Sequence, residues 1–412
     1  MAFSYRGGVL CAEDVALDDI ARRHGTPCFV YSAGAIRAAY AEFANALAGR
    51  DALICYSVKA NSNLAVLALL ARLGAGFDIV SGGELARVIA AGGDPRKTLF
   101  SGVGKSAEEI RYALDKGIGC INLESEAELD RVADIAARME KRAPIALRVN
   151  PDIDPKTHPY ISTGLRETKF GVAHADAQRL YRKAASLKQL EIVGIGCHIG
   201  SLLLDPAPLV AAVERLLALV DRIGIPLKHL DIGGGYGIRY KDESPRPVSE
   251  FMKAVLRVVD ARRQTLVVDP GRSIVGNAGV LLTRVEYVKP GHLVVDAAMN
   301  DLIRPALYGA WHEVKPVKES DVGDDVYNVV GPVCESADFL AKERRLTAAA
   351  GDLLAIMSCG AYAMAMSSNY NTRPRAPEVL VSGNRADLVR RRESVEELFA
   401  LERLPADNRA FP

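Results

Sequence analysis

The chain lacks the marks of several large protein classes. It has no C-x-x-C pair, and its cysteines number seven, an odd count that argues against a disulfide framework and against a zinc site. Its seven histidines are scattered, with no H-x-x-x-H or comparable ligand spacing, so metal-assisted chemistry is disfavoured. No apolar run is long enough to span a bilayer, and Met1 to Asp14 carries charges and glycines where a signal peptide needs an apolar core. Charge of one sign is also missing: the formal net charge is +1 and no dense Lys/Arg stripe appears, which excludes nucleic acid as an expected partner. No internal repeat or low-complexity segment is present. These absences predict a cytoplasmic, soluble protein with neither nucleic-acid nor membrane partners and no metal.

What is present is a chain of 412 residues, 49% hydrophobic and 25% charged, longer than one hydrophobic core usually allows. Short β-branched runs recur at Leu53–Val58, Phe77–Val80, Thr98–Phe100, Cys120–Leu123, Ile145–Val149, Ile192–Cys197, His229–Ile232 and Leu266–Val268. Amphipathic stretches such as Leu64-Leu67-Leu70-Leu73 and Leu209-Val213-Leu216-Leu217-Val220 separate them. Capping boxes are expected at Ser81/Glu84, Ser106/Glu109 and Ser125/Glu128, and Asp205-Pro206 is a further helix start. Eight strands alternating with helices predict an α/β fold, a (β/α)8 TIM-like barrel, over 33–275. Beyond it the pattern turns strand-like at Val280–Val288, His292–Ala297, Asp325–Val330 and Leu353–Met357, and Cys28–Tyr31 is expected to join that sheet. The second, mainly β domain is therefore assembled from both chain ends, 1–32 and 276–412. The polar stretch Pro151–Gly171 reads as a lid or binding loop.

In such barrels chemistry sits at the C-terminal strand ends. Here those ends read Lys59, Asp78 and Ser81, Ser101, Glu124, Arg148 and Asn150, His198 and Ser201, Gly233-Gly234-Gly235, and Asp269 with Arg272. A lysine closing an apolar strand is either a side chain snorkelling to solvent or an amine in a partly desolvated pocket, where its pKa falls and it attacks carbonyl carbon. Gly104-Lys105-Ser106 ends like a Walker A loop, but Leu99 stands where its first glycine is needed. Gly233-Gly234-Gly235-Tyr236-Gly237 fails as a dinucleotide fingerprint, because Ile238 occupies the third glycine position. A tight turn or a backbone cradle for a single phosphate remains. A phosphate cradle together with a strand-end lysine points to pyridoxal 5'-phosphate, whose aldehyde needs an amine and whose pyridine nitrogen needs a fixed partner.

The segments Tyr56–Asn61, Phe77–Glu84, Cys197–Ser201, the glycine loop, Pro270-Gly271-Arg272-Ser273, Asn300–Tyr308, Cys334-Glu335-Ser336 and Gly360-Ala361-Tyr362 occur in that order. Together they resemble the alanine-racemase-like, fold-type III pyridoxal-phosphate decarboxylases over essentially the whole chain. Within that class they resemble the branch acting on meso-2,6-diaminopimelate in lysine biosynthesis. The resemblance implies that Lys59 forms the Schiff base and that His198 backs the cofactor ring. It places Ser201, Gly233, Gly234, Gly235, Asp269, Pro270, Gly271, Arg272 and Tyr362 around the cofactor. Arg272, Arg304, Tyr308, Glu335 and Tyr362 would bind the amino-acid substrate, and Cys334 would donate a proton. It also implies a homodimer with shared active sites, Cys334 and Glu335 reaching in from the partner chain. An arginine suits a second substrate carboxylate; an ornithine or arginine decarboxylase, the alternative, would need a carboxylate there. Two positions depart from the family pattern: Asp269 replaces the usual glutamate, one methylene longer, and Leu202 follows Gly200-Ser201 where a polar residue is usual.

Overall fold

The structure, a computed structural model, describes residues 2–153, 169–319 and 325–405. It divides into two units, one of residues 33–278 and one formed by 1–32 with 279–412.

In the first unit, Ala52–Ser57, Gly76–Ile79, Thr98–Phe100, Cys120–Leu123, Ala143–Asn150, Leu190–Gly196, His229–Asp231 and Thr265–Val268 pair in parallel. Pairing of Ile121 with Ile145 on one side and of Val267 with Leu53 on the other closes them into a barrel. This is the (β/α)8 fold the strand–helix alternation implies. Its interior is packed by Cys55, Leu99, Cys120, Ala146, Val193 and Val267, small and medium side chains from six strands, so the barrel is a filled core. Helices such as Leu64–Arg72, Glu126–Arg138 and Ala207–Ile223 turn their buried leucines, valines and isoleucines toward the strands. Ser106 and Glu109 form the complete capping box. At Ser81 and Ser125 half of the box forms. Each serine accepts from the N–H three residues on, but Glu84 and Glu128 accept from Val80 and Glu124, the residues before the caps. Asp205 accepts from the Ala207 N–H at 2.8 Å and opens its helix as expected.

The β unit joins both chain ends in one sheet. Cys28–Ser32 lies between Gly279–Lys289, antiparallel, and Glu378–Ser382, parallel, with Val30 opposite both Val280 and Val379. The sheet runs on through His292–Val295 and Asp325–Val330 to Phe339–Leu346 at one edge, and to Arg385–Arg390 at the other. Leu353–Ile356 pairs with Gly279–Lys289 and with Val314–Pro316. A three-stranded sheet, Phe3–Arg6, Val9–Ala12 and Val15–Ala16, covers one face. Leu10, Leu17, Ile20, Val30, Val280, Leu282, Val317 and Val381 are all buried in the core between them. Each such side chain contributes about 1.5–3 kcal/mol of burial, which explains how a discontinuous unit holds its two chain segments together. Most of 151–171, the expected lid, lies outside the described residues.

Candidate active site

The first barrel strand ends in a single 3-10 turn, Val58–Ala60, which carries Lys59. Its side chain is 36% exposed, and Nζ lies 3.4 Å from Oδ2 of the buried Asp78, at the end of the second strand. The amine, partly covered, is ion-paired with this carboxylate. Asp78 is itself fixed. Ser101 Oγ donates to its Oδ1 at 2.6 Å, and Asn122 Nδ2 donates to Ser101 Oγ at 3.1 Å. Ser57 Oγ lies 3.2 Å from Asp78 Oδ2 and 3.0 Å from the Asp269 carbonyl, while Ser57 N–H donates to the Pro270 carbonyl at 3.1 Å. These bonds lock the ends of the first, second and eighth strands together. At Gly271 a Cβ would come within 3.1 Å of both Ser57 Cβ and Ala60 Cβ, so glycine lets the Arg272 turn pack against the lysine turn.

On the seventh strand, Asp231 Oδ1 accepts from Gly233 N–H at 2.9 Å, and Gly234 N–H donates to His198 Nδ1 at 3.3 Å. A Cβ on Gly235 would stand 2.0 Å from the Gly200 carbonyl, and Gly235 has a φ of +85°. The triplet is thus demanded by packing of the loop itself. Leu203 N–H donates to the Gly235 carbonyl and Gly237 N–H to the Leu203 carbonyl, both at 2.8 Å. Neighbouring Leu202 takes a φ of +63°, a left-handed conformation unusual for leucine. Arg272 donates to the Tyr240 hydroxyl at 2.7 Å and to Ser201 Oγ at 3.2 Å.

His198 is held neutral. Burial, and then the Lys59 and Arg148 cations, bring its imidazole down to about 3. Because Nδ1 accepts from Gly234, the proton sits on Nε2. His198 Nδ1 is also 3.4 Å from Asp269 Oδ1, but its lone pair is already used, and Asp269 Oδ1 is buried with no hydrogen-bond partner among the described residues. Burial, and then the Asp78 charge, push the Asp269 carboxyl well above its ordinary value. Asp231 moves in the same direction, through burial and then Asp269.

These features fit pyridoxal phosphate. An orphaned buried carboxyl oxygen suits a pyridinium N–H, and Lys59 offers the amine. Among the described residues, the N–H groups of Gly235 and Tyr236 make no hydrogen bond, which suits a phosphate. The matching family model is the pyridoxal-dependent decarboxylase pyridoxal-binding domain, over residues 33–276. The chain is 57% identical to the diaminopimelate decarboxylase of Pseudomonas aeruginosa, covering 98% of this chain and 99% of that one. It belongs to the diaminopimelate decarboxylase family. A solved member from Helicobacter pylori, complexed with L-lysine, superposes with a TM-score of 0.91 at 40% identity, over 94% of this chain and 99% of that one. The enzyme from M. jannaschii, also in complex with L-lysine, gives 0.92 at 33% identity over 98% of both chains.

The remaining residues that the family resemblance singles out lie in the β unit. Arg304 is buried at the start of the helix Arg304–Tyr308, and Tyr308, at its end, is half-buried. Cys334 and Glu335 are exposed on a turn. Asp338 anchors that turn, accepting from Met299 N–H and Val333 N–H, both at 2.7 Å. Asn371 accepts from Cys334 N–H at 3.0 Å. Tyr362 holds a φ of +55°, which costs a non-glycine residue about 1 kcal/mol or more. Two residues that sequence reasoning passed over hold the arginines: Tyr240 on Arg272, and His312 on Arg304. No spacing marks either one; each lies in a loop, visible only once the chain is folded.

Proposed function

We propose that the chain converts meso-2,6-diaminopimelate to L-lysine and carbon dioxide, as the last step of lysine biosynthesis. The observation that carries this reading is Asp269 Oδ1, buried and without a hydrogen-bond partner among the described residues, at the barrel mouth that also presents Lys59, in a chain that aligns over 98% of its length with a diaminopimelate decarboxylase. Bound pyridoxal phosphate supplies an electron sink for the pair left behind when carbon dioxide departs.

The protein's own groups do the rest. Lys59 would hold the cofactor through its ε-amine. Asp269 would hold the ring nitrogen in its protonated form. Neutral His198, oriented by Gly234, would back the cofactor ring as an uncharged partner that does not repel a protonated ring nitrogen. Gly233, Gly234, Gly235 and Ser201, with Pro270, Gly271, Arg272 and Tyr362, would hold the phosphate and ring. Arg272, Arg304, Tyr308, Glu335 and Tyr362 bind the substrate, with Arg304 facing the second carboxylate. Cys334 Sγ–H, or a water it positions, gives its proton to the carbon that has lost its carboxylate, at the D-configured centre.

Cys334 and Glu335 act from a second copy of the chain, so the active form is a homodimer with shared sites, working in the cytoplasm. Among the described residues no helix is long and apolar enough to cross a membrane. Assays against diaminopimelate, ornithine and arginine test the substrate: turnover of the first alone supports the reading, and turnover of either of the others in its place removes it.

A further inference from the structure

Arg304 opens a short helix that ends at left-handed Gly309, φ 60°. The chain then turns so that His312, fully buried, meets the guanidinium, with Arg304 Nη1 and His312 Nε2 2.7 Å apart. On the other side of the ring, Nδ1 lies 2.8 Å from the Met357 carbonyl. A carbonyl only accepts, so Nδ1 carries the proton and Nε2 presents its lone pair; a guanidinium only donates, so the bond runs from Arg304 to His312. Both ends dictate one neutral tautomer.

The histidine is braced in turn. Arg344 donates to the His312 carbonyl from Nη2 at 3.2 Å and from Nε at 3.4 Å, and its guanidinium lies 4.5 Å over the Trp311 ring. Met357 N–H donates to the Glu313 carbonyl at 2.8 Å, extending the antiparallel pairing of Val314 with Ile356. The choice of an imidazole has a consequence. A carboxylate in this place would orient Arg304 but neutralise it and compete with an incoming carboxylate. A neutral acceptor fixes the planar fork without itself neutralising the guanidinium.

We propose that His312 is a positioning residue that fixes the Arg304 guanidinium for the second carboxylate of the substrate, without discharging it. This rests on the assignment of Arg304 to that carboxylate. The test is steady-state decarboxylation of meso-diaminopimelate by the pyridoxal-phosphate-loaded enzyme, with cofactor absorbance and melting temperature recorded for each variant. His312→Leu is expected to raise KM about tenfold or more, the scale of one lost hydrogen bond to a charged group, with kcat changed far less and cofactor loading intact. His312→Gln, which restores a neutral acceptor, is expected to recover most of the loss. His312→Glu is expected to raise KM, by pairing with Arg304. In an Arg304→Ala background, His312→Leu should add nothing. If His312→Leu does not fold, the contrast between the polar, similar-sized Gln and Glu variants carries the test. An unchanged KM in His312→Leu, equal KM in the Gln and Glu variants, or additive effects of the two positions would overturn the proposal. An Arg304→Ala enzyme with unchanged KM would instead remove the substrate assignment, and the role of His312 with it.

Discussion

Replacing Asp269 with asparagine removes a buried charge while nearly conserving shape, and two effects of opposite sign follow. Its side chain is only 8% exposed, so solvent screening is slight, and among the described residues Oδ1 has no hydrogen-bond partner. On the proposed assignment the carboxylate pairs with the ring nitrogen in the holoenzyme, and breaking a buried pair from one side costs about 3–5 kcal/mol. At 1.4 kcal/mol per factor of ten, turnover should fall by about a hundredfold to a few thousandfold. The shorter aspartate places the effect toward the lower end if a water bridges the contact.

In the cofactor-free protein the sign reverses. Burial and the Asp78 charge raise this carboxyl, so the unfolded chain releases the proton before the folded one does. Stability is therefore greatest below the unfolded value of about 3.9 and falls as pH rises above it toward the raised folded value. Asp269→Asn should flatten that decline and leave the cofactor-free melting temperature at pH 7 equal or higher. The assays are kcat on meso-diaminopimelate and thermal melts with and without cofactor. Turnover within about threefold of wild type, or a lower cofactor-free melting temperature, would refute the reasoning.

Lys59→Ala should abolish the Schiff-base absorbance and turnover while circular dichroism stays native, because no other amine is assigned to that place. Mixing inactive Lys59→Ala chains with inactive Cys334→Ala chains should restore part of the activity, since some heterodimers carry one intact site; the check is activity after verified subunit exchange. Arg304→Ala should lower kcat/KM for diaminopimelate by at least about tenfold, through loss of charge-assisted hydrogen bonds to the second carboxylate. Lys105→Met should destabilise the barrel by about 3–5 kcal/mol in chemical denaturation. Lys105 Nζ is fully buried and donates to Glu128 at 2.8 Å and to the Gly102 and Asn122 carbonyls at 2.7 Å, leaving three acceptors stranded when it goes.

The barrel was readable because its strands are short β-branched runs set off by capping signals, and each of the eight expected strands forms within about two residues of its expected ends. The strand-end positions were readable for the same reason: Lys59, His198, the glycine triplet and Asp269 each follow a run whose end can be placed. The β unit was less legible. Phe339–Leu346 contains Lys342-Glu343-Arg344-Arg345, a charged run that hides a strand, yet it is an edge strand with one face in solvent, where charges are tolerated. Glu378–Ser382 was within reach, since Val379-Leu380-Val381 is a β-branched run, but its partner Cys28–Ser32 is more than three hundred residues away. Lys59 and Asp78 could be placed at neighbouring strand ends, but their ion pair could not be read, because only the closed barrel sets the distance between them. Tyr240 and His312 were hidden in the same way, their importance lying in what they touch.

Incubation of the purified protein with meso-diaminopimelate and pyridoxal phosphate, following carbon dioxide and L-lysine together, tests the assigned chemistry most directly. Equimolar release of the two, dependent on cofactor and lost in Lys59→Ala, is the result expected. Carbon dioxide without lysine, or no turnover of diaminopimelate beside turnover of ornithine or arginine, would contradict it.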